Sequence, residues 1–317
     1  MFEQSQHILN ICVVGPTASG KTNLAQELAL LLHGEVLSAD SMQIYKGMDI
    51  GTGKLPVSER KVPHYGFDLV DPGCEFSASL FQEYGRAVLR DMNARNIPCI
   101  VCGGTGFYVR ALIDDYEFPA GEQVNNPVRD RYTEMSVMLG NQAVWDELYK
   151  LDAASAQVIH PNNVKRVIRA IEMHFEGVSY AEQLKKLQTI KQAIPSCFIG
   201  LRIDKDLLNK RIDQRVDMMI EDGLVAEVEA LLEAGFREGV TAPQAIGYKE
   251  IVLALEGAIS LDEAVSQIKI ATHRYAKRQR SWFNRDKRIN WIDGELPLEK
   301  QVQEAALYYQ AMCSKGV

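Results

Sequence analysis

The residues with the clearest capacity for chemistry form a glycine-rich segment near the N-terminus, Gly15-Pro16-Thr17-Ala18-Ser19-Gly20-Lys21-Thr22. The segment satisfies the G-x-x-x-x-G-K-T pattern, in which backbone N–H groups and the lysine surround phosphates and the threonine hydroxyl holds Mg²⁺. It lies between an apolar run and a helical stretch, which is the context that the pattern requires. The segment therefore predicts a polyphosphate site with Mg²⁺ on Thr22. It does not identify the ligand or the reaction.

A second candidate is Asp40, which follows the short predicted strand Gly34–Leu37. In open α/β sheets ligands bind at the carboxyl ends of the strands, so Asp40 should come close to the ligand of the phosphate loop. Aspartate is also common as a helix N-cap and in turns. From its position alone, a catalytic and a structural role for Asp40 both stay open.

Two further segments carry weaker signals. Thr105 follows the pair Gly103-Gly104 at the end of an apolar run, where its hydroxyl could face a ligand, although such a pair often forms only a tight turn. Lys54 lies in a glycine-rich turn and could bind a second phosphate, or it could be an ordinary solvated lysine.

Basic residues cluster on three predicted helices. Lys165 and Arg169 share one helix face, as do Arg211 and Arg215, because each pair is four residues apart. An arginine that approaches a diphosphate can bind it with two hydrogen bonds. Residues 274–288 form a basic stripe with interleaved aromatics and the single acid Asp286; its cations are Arg274, Lys277, Arg278, Arg280, Arg285, Lys287 and Arg288. On a chain of net charge −7 such a stripe favours a nucleic-acid backbone as partner, although most such runs are solvated helix faces.

The elements that must position these residues alternate between strands and helices. Apolar runs predict strands at Ile8–Val14, Gly34–Leu37, Phe67–Val70, Pro98–Val101 and Cys197–Arg202. Helical periodicity covers Asn23–Leu32, Ser77–Asn93, Asp206–Gly223 and Ser260–Phe283. This pattern predicts an α/β fold in which a P-loop NTPase-like parallel sheet is flanked by helices. Residues 117–196 begin with a breaker-rich linker and read as an all-helical insertion, which leaves residues 1–116 and 197–317 as the core.

Composition excludes several classes of protein. Hydrophobic residues make up 46% and charged residues 24% of the 317-residue chain, as in an ordinary globular protein. No apolar run reaches transmembrane length, and residues 1–7 lack the basic region of a signal peptide, so we expect a cytoplasmic protein without a membrane partner. Cys99 and Cys102 are predicted to lie on opposite faces of one strand as core cysteines, not as a metal or redox pair.

Taken together, the motifs resemble the bacterial type of the tRNA dimethylallyltransferase (tRNA isopentenyltransferase) family. The similar segments run almost from end to end, and they are GPTASGKT, SADSMQIYKGMDIGTGK, VPHYGFDLVDP, CGGTGFYVRAL, HPNNVKRVIRAIE, RIDQRVDMMI, APQAIGYKE and THRYAKRQRSWF. The resemblance implies transfer of a dimethylallyl group from dimethylallyl diphosphate to N6 of the adenosine at tRNA position 37. The chain departs from the family pattern at Gly53, Tyr65 and His273.

The same resemblance implies a role for each matching residue. Asp40 would be the general base, Thr105 would orient the attacking amine, Lys21 and Arg215 would stabilise the leaving diphosphate, and Thr22 would hold Mg²⁺. Residues expected to contact tRNA are Asp40, Ser41, Met42, Gln43, Thr105, Arg129, Lys165, Arg166, Val167, Ile168, Arg169, Gln244, Ala245, Ile246, Gly247, Tyr248 and Lys249. The helical insertion would clamp the anticodon stem, and the protein is expected to act as a monomer.

Three other functions fit part of the sequence. A P-loop small-molecule kinase shares the loop and the sheet but gives no reason for the basic, aromatic stripe. A non-catalytic nucleic-acid-binding NTPase module would not depend on Asp40. An adenylate isopentenyltransferase acts on a free nucleotide and would not need the helical insertion.

Overall fold

A six-stranded parallel sheet forms the centre of the computed structural model, which describes residues 10–118 and 126–314. Its strands are β1 (Asn10–Val14), β2 (Glu35–Ser38), β3 (His64–Tyr65), β4 (Cys99–Gly103), β5 (Ser196–Arg202) and β6 (Ile289–Asp293), in the spatial order β3-β2-β4-β1-β5-β6. Every pairing is parallel. The carboxyl ends of all strands therefore meet at one edge, where the phosphate loop begins directly after β1.

Two strands differ from the sequence prediction. The third strand was predicted at Phe67–Val70, but it forms at His64–Tyr65, opposite Val36 and Leu37 of β2. Gly66 and Asp68 have φ angles of +84° and +55°, which interrupt the extended backbone after Tyr65. The prediction also lacks β6, whose short alternation of apolar and polar residues follows directly on the basic stripe.

Helices cover both faces of the sheet and build the remainder of the described chain. In chain order they are α1 (Lys21–Leu32), α2 (Ala78–Ala94), α3 (Gly106–Ile113), α4 (Pro127–Leu139), α5 (Asn141–Leu151), α6 (Ala153–Val158), α7 (Val164–Phe175), α8 (Tyr180–Thr189), α9 (Lys205–Glu221), α10 (Leu224–Glu233), α11 (Tyr248–Leu255), α12 (Leu261–Phe283) and α13 (Leu298–Ser314). None of these helices is long and apolar enough to cross a membrane.

Alternation along the strands divides the core between the two faces of the sheet. Ile11 and Val13 of β1 pack with α1 and α13 on one face. Cys12 and Val14 pack with α2 and α3 on the other. Cys99 and Cys102 fall on opposite faces of β4 in the same way, which confirms the prediction that they are separate core residues.

The chain divides into two compact units. The first unit contains Met1–Ile113 and Ala193–Val317 and holds the sheet, and its helices α9–α12 enclose a further apolar cluster beside the sheet. The second unit, Asp114–Gln192, contains α4–α8 around a small core that includes Tyr132, Leu148 and Ile171. The predicted insertion, residues 117–196, begins and ends a few residues later than this second unit.

Candidate functional site

The carboxyl edge of the sheet opens into a cavity of about 300 Å³ that combines most of the predicted catalytic side chains. Lys21 and Thr22 reach it from the phosphate loop, Asp40 from the segment after β2, and Arg215 from α9. These residues lie far apart in sequence, and the parallel sheet brings them together because β1 and β2 end at the same edge.

The phosphate loop is shaped to surround an anion. Gly20 takes a left-handed conformation with φ +86° immediately before α1, so the loop turns directly into the helix N-terminus. The Ser19 hydroxyl is buried in the loop and forms no hydrogen bond with the described residues. A buried hydroxyl without a partner is costly. A bound phosphate oxygen would supply the missing partner, which supports the prediction of a phosphate ligand here.

Two cations, Lys21 and Arg215, face the cavity without an ion pair. Burial lowers the pKa of Lys21, while the charges of Cys102 and Asp40 oppose that shift. Burial also lowers the pKa of Arg215, and Asp40 again opposes it. Neither cation lies within ion-pair distance of a carboxylate in the parts of the chain that the structure describes. One carboxylate beside two desolvated cations leaves excess positive charge, which a diphosphate would neutralise.

Asp40 occupies a turn and faces the cavity at the same time. Its Oδ1 atom accepts a hydrogen bond from the Met42 N–H at 2.9 Å, which fixes the orientation of the carboxylate. Oδ2 forms no hydrogen bond with the described residues. The structural and catalytic interpretations of Asp40 are therefore compatible, because the turn uses one oxygen and leaves the other open to a ligand.

Thr105 does not line the cavity itself but is hydrogen-bonded to a residue that does. Its Oγ1 atom accepts a hydrogen bond from the Ser41 N–H at 3.1 Å and lies 3.4 Å from the Ser41 hydroxyl. Ser41 itself lines the cavity. Thr105 thus fixes the backbone of Ser41, the residue that directly follows Asp40.

Sequence reasoning did not assign a function to Gln279 of α12, which bridges two loops of the site. Its Oε1 atom accepts a hydrogen bond from the Thr17 N–H at 2.8 Å, and its Nε2 atom donates to the Gly104 carbonyl at 2.9 Å. Its side chain approaches so closely that a Cβ atom on Gly104 would lie 2.3 Å from Nε2, so any larger residue at position 104 would displace the Gln279 side chain. Gln279 therefore links the phosphate loop to the turn after β4.

Tyr275 extends this link toward Asp40. It lies one helical turn before Gln279 and lines the cavity, where its phenol is close enough to Thr105 and Gln279 for both to affect its pKa. Burial raises the pKa of Tyr275 to about 12, so the phenol keeps its proton near neutral pH. Tyr275 and Gln279 are four residues apart, and this spacing could have indicated that they share the inward face of α12. The many cations around them made the segment resemble a solvated basic face instead.

Lys54 has neither of the roles considered from the sequence. Its side chain is buried, and Nζ contacts Asp49 at 2.5 Å, Asp68 at 2.6 Å and the Tyr45 carbonyl at 2.9 Å. Two carboxylates already neutralise its charge, so it is neither a solvated lysine nor a phosphate ligand. It fixes the loop of residues 49–54 against the segment after β2.

The predicted tRNA-contacting residues of the first unit differ in accessibility. Gln43 lines the cavity, but its amide group is held by Ser38 Oγ and by the carbonyls of Thr52 and Gly53. Ala245 and Tyr248 are buried. The side chains of Ala245 and Tyr248 therefore pack in the core beneath the predicted contact segment of residues 244–249. The residues of this group that are at least partly exposed are Asp40, Ser41, Met42, Gln43, Thr105, Gln244, Ile246 and Lys249.

In the second unit, the predicted basic face of α7 is partly neutralised. Arg129 and Arg169 both bind Glu172, a fully buried carboxylate, at 2.6 Å and 3.0 Å. Val167 and Ile168 are core residues. The exposed cations of the predicted contact segment are Lys165 and Arg166.

The Glu172 cluster leads to a prediction about stability. Glu172→Gln removes the charge that two arginines share and is expected to lower the free energy of unfolding by about 2 kcal/mol. Urea denaturation of the purified protein, followed by circular dichroism, measures the change. Glu147→Gln, which breaks the exposed pair with Lys150, is the matched control and should cost less than about 1 kcal/mol. Equal effects of the two substitutions would contradict a structural role for the cluster.

Comparisons with known proteins agree on one family. The family profile described as IPP transferase matches residues 43–286. The tRNA dimethylallyltransferase of Carboxydothermus hydrogenoformans is 44% identical over 92% of this chain and 94% of its own length. That of Exiguobacterium sibiricum is also 44% identical, over 92% of this chain and 91% of its own length.

Solved structures give the same result. The crystal structure of tRNA delta(2)-isopentenylpyrophosphate transferase from Staphylococcus epidermidis matches with a TM-score of 0.71 and 37% identity, over 96% of this chain and 99% of that one. A eukaryotic dimethylallyltransferase acting on tRNA matches with a TM-score of 0.76 and 28% identity, over 90% of this chain and 73% of that one. The phosphate loop, the parallel sheet and these matches over nearly the whole length lead to one conclusion: the chain belongs to the IPP transferase family.

Proposed function

We propose that the protein transfers a dimethylallyl group from dimethylallyl diphosphate to N6 of the adenosine at position 37 of tRNA, acting as a monomer and releasing diphosphate. The observation that carries the proposal is the presence of Asp40, Lys21 and Arg215 on the walls of one cavity. A group transfer from a diphosphate ester to an amine needs a proton acceptor and a cationic site for the leaving group, and this cavity supplies both.

The two cations act on the leaving group. As the C–O bond of the ester breaks, the electron pair stays with the diphosphate, and Lys21, Arg215 and the N–H groups of the phosphate loop stabilise the growing negative charge. Desolvation strengthens these interactions, because charges attract more strongly where water is excluded. The phosphate loop thus holds a group that leaves carbon and is not itself transferred.

Asp40 acts on the nucleophile. The nitrogen at N6 forms a bond to the first carbon of the dimethylallyl group, and the open oxygen of Asp40 takes the proton that the nitrogen loses. Thr105 fixes the segment of Asp40 by accepting a hydrogen bond from the Ser41 N–H. The adenine must leave the stack of the tRNA loop to reach this carboxylate, so we expect base flipping.

The residues present also fit Mg²⁺, the cofactor expected from the phosphate loop. In the described parts of the chain no cluster of three or more His, Cys, Asp or Glu side chains forms a metal site. Mg²⁺ commonly uses one or two protein oxygens together with phosphate oxygens and water. The Thr22 hydroxyl, on the wall of the cavity beside Lys21, would hold the ion against the diphosphate. When bound, Mg²⁺ would add positive charge at the leaving group.

The decisive experiment incubates the protein with dimethylallyl diphosphate and unmodified tRNA, followed by nucleoside mass analysis. We expect a mass gain of one dimethylallyl group on a single adenosine beside the anticodon. A parallel reaction with free AMP in place of tRNA tests the adenylate isopentenyltransferase alternative, in which AMP would gain the dimethylallyl group. Consumption of ATP with unmodified adenosine would instead support the kinase alternative and overturn the proposal.

Gln279→Met tests the link between the two loops. The substitution keeps the length of the side chain but leaves the Thr17 N–H and the Gly104 carbonyl without their partner. We expect kcat/KM for dimethylallyl diphosphate to fall about tenfold, which corresponds to about 1.4 kcal/mol. Steady-state kinetics with tRNA in excess measure the change, and Gln214→Met on the exposed face of α9 is the control. A loss of thermal stability without any change in kcat/KM would show that Gln279 serves only the fold.

Lys165→Ala tests the α7 surface as a tRNA contact. Lys165 is exposed and takes part in no ion pair with the described residues, so its removal should leave stability unchanged. We expect weaker tRNA binding and a reduction of about 1 in the slope of log K against log salt. Lys150→Ala is the control, because Glu147 already neutralises Lys150. An unchanged salt slope would exclude Lys165 from the interface.

A further inference from the structure

A second cavity, of about 450 Å³, lies on the outer side of the phosphate loop. Its walls come from Pro16 of the loop, the end of β5, the last turn of α12 and the segment that leads into β6. None of its lining residues belongs to the catalytic cavity. The two cavities therefore share the phosphate loop as a common wall.

Three cations line this second cavity, and they are Arg202, Arg280 and Lys287. None of them forms an ion pair with a carboxylate in the described residues. Arg202 lies over the ring of Trp291, with 5.5 Å between Cζ and the ring centroid. Three unpaired cations around one cavity make its local potential favourable for an anion, although the net charge of the whole chain is −7.

The nearby carboxylates do not cancel this charge. Asp286 lines the cavity, but Arg288 already binds it through Nη2 at 2.6 Å. Asp204 lies close enough to interact with Arg280, yet its Oδ1 atom caps α9 by accepting hydrogen bonds from Asp206 and Leu207. Neither acid forms an ion pair with the three cations, so the cavity keeps an excess of positive charge.

The shape of the site argues for a small ligand. The basic stripe of residues 274–288 divides in the structure: Lys277 is exposed on α12 outside both cavities, Arg278 lines the catalytic cavity, and Arg280 and Lys287 converge on the second cavity. Arg202 and Lys287 are exposed, as Lys277 is, but together with Arg280 they line one concave site instead of a row along a helix, and such a site suits a compact phosphate-bearing molecule. Guanidinium groups are especially suited to phosphate oxygens, which they can bind with two parallel hydrogen bonds.

From these observations we propose that Arg202, Arg280 and Lys287 form a second anion site, which binds the polyphosphate group of a small molecule behind the phosphate loop. Two sources of that group exist, inorganic diphosphate and a nucleoside triphosphate. The site does not take part in bond making, and the proposal stands whether or not the catalytic cavity transfers a dimethylallyl group.

Calorimetric titration with inorganic diphosphate tests the proposal. We expect two sites per chain in the wild-type protein. Lys21→Met should weaken diphosphate binding in the catalytic cavity and leave one site of unchanged affinity, and the triple variant Lys21→Met, Arg280→Ala, Lys287→Ala should lose that site as well. The same titration of the Lys21→Met variant with ATP and with AMP distinguishes the sources: ATP binding tenfold or more tighter than diphosphate binding identifies a nucleotide site, and equal or weaker ATP binding identifies a diphosphate site. A Lys21→Met variant that binds neither ligand would overturn the proposal.

Two controls keep the result interpretable. Lys21→Met combined with Lys277→Ala removes a cation of the same stripe outside the cavity and should still bind one diphosphate. Lys21→Met combined with the charge-preserving changes Arg280→Lys and Lys287→Arg should retain binding and shows that loss in the alanine variant is not caused by misfolding. Loss of tRNA affinity in the Arg280→Ala, Lys287→Ala double variant, with two diphosphate sites intact, would assign these cations to the tRNA backbone and refute the site.

Discussion

Replacing Asp40 by asparagine is expected to lower the rate of dimethylallyl transfer by about 10²–10⁴-fold, the range typical for loss of a general base. Asparagine keeps the side-chain oxygen that accepts the Met42 N–H, so the turn after β2 should survive. Only the capacity to take a proton is lost. Single-turnover measurements with saturating dimethylallyl diphosphate and tRNA report the chemical step, and tRNA affinity should stay within about twofold because base contacts outside Asp40 remain.

The comparison with Asp40→Ala separates the two roles of the side chain. Alanine removes both the proton acceptor and the turn, so it should slow the reaction at least as much as asparagine and also disturb the segment that Thr105 holds. A transfer rate in Asp40→Asn equal to that of the wild-type protein would exclude Asp40 as the general base. The proton acceptor would then have to be sought elsewhere in the cavity.

Replacing Lys21 by methionine is expected to lower kcat by about 10²–10³-fold, the usual loss when one stabilising group is removed from a developing negative charge. Methionine is close to lysine in length and apolar, so it fills the same space without the charge. Arg215 and the loop N–H groups remain, which is why a residual rate should persist. Lys46→Met is the control, because Lys46 is exposed and paired with Asp71 away from the cavity.

The pH dependence adds an independent readout for Lys21. Burial lowers the pKa of Lys21 from its ordinary value of 10.5, so the free protein loses this positive charge at a lower pH than an exposed lysine would. The wild-type kcat/KM for dimethylallyl diphosphate should therefore fall as pH rises into the alkaline range. Lys21→Met has no charge to lose, and this alkaline decline should disappear. The same alkaline decline in both proteins would assign it to another group.

These two substitutions address opposite ends of one reaction. In the proposed reaction Asp40 accepts the proton of the nucleophile, and Lys21 stabilises the negative charge of the leaving group. They share one cavity, and Lys21 and Asp40 interact electrostatically. Their effects in the double variant should therefore be less than additive, since residues that act on one transition state are coupled.

Much of the site could be predicted because it is encoded locally. The phosphate loop is a contiguous pattern of eight residues. Its role depends on a backbone geometry that the glycines within those eight residues permit. Asp40 could be located because a short apolar strand directly precedes it. The central strands were equally clear, since β1 and β4 are buried on both faces and therefore read as continuous apolar runs. Strand β3 was misplaced because its two residues are too few to carry a periodic signal.

Other features depended on contacts between distant segments. The sequence left Lys54 as either a phosphate ligand or a solvated lysine, but Asp68 and the Tyr45 carbonyl bind it in the folded chain. Arg169 seemed to face a ligand, but a buried glutamate one turn further along α7 binds it. Periodicity identifies the face of a helix on which a residue lies, but it contains no information about which charge will meet that face.

The sequence alone determined the phosphate loop and the α/β class, because each depends on neighbours within a few residues, and its resemblance to a known family predicted the roles of Asp40, Lys21, Arg215 and Thr105. The tertiary structure decided that Asp40, Lys21 and Arg215 share one cavity. It also decided that Gln279 binds the phosphate loop through Thr17, which lies 262 residues earlier in the chain. It also divided the basic stripe between an exposed face and two cavities. The physical reason is that ionic and hydrogen-bonding partners are selected by proximity in space, which the packing of the whole sheet establishes.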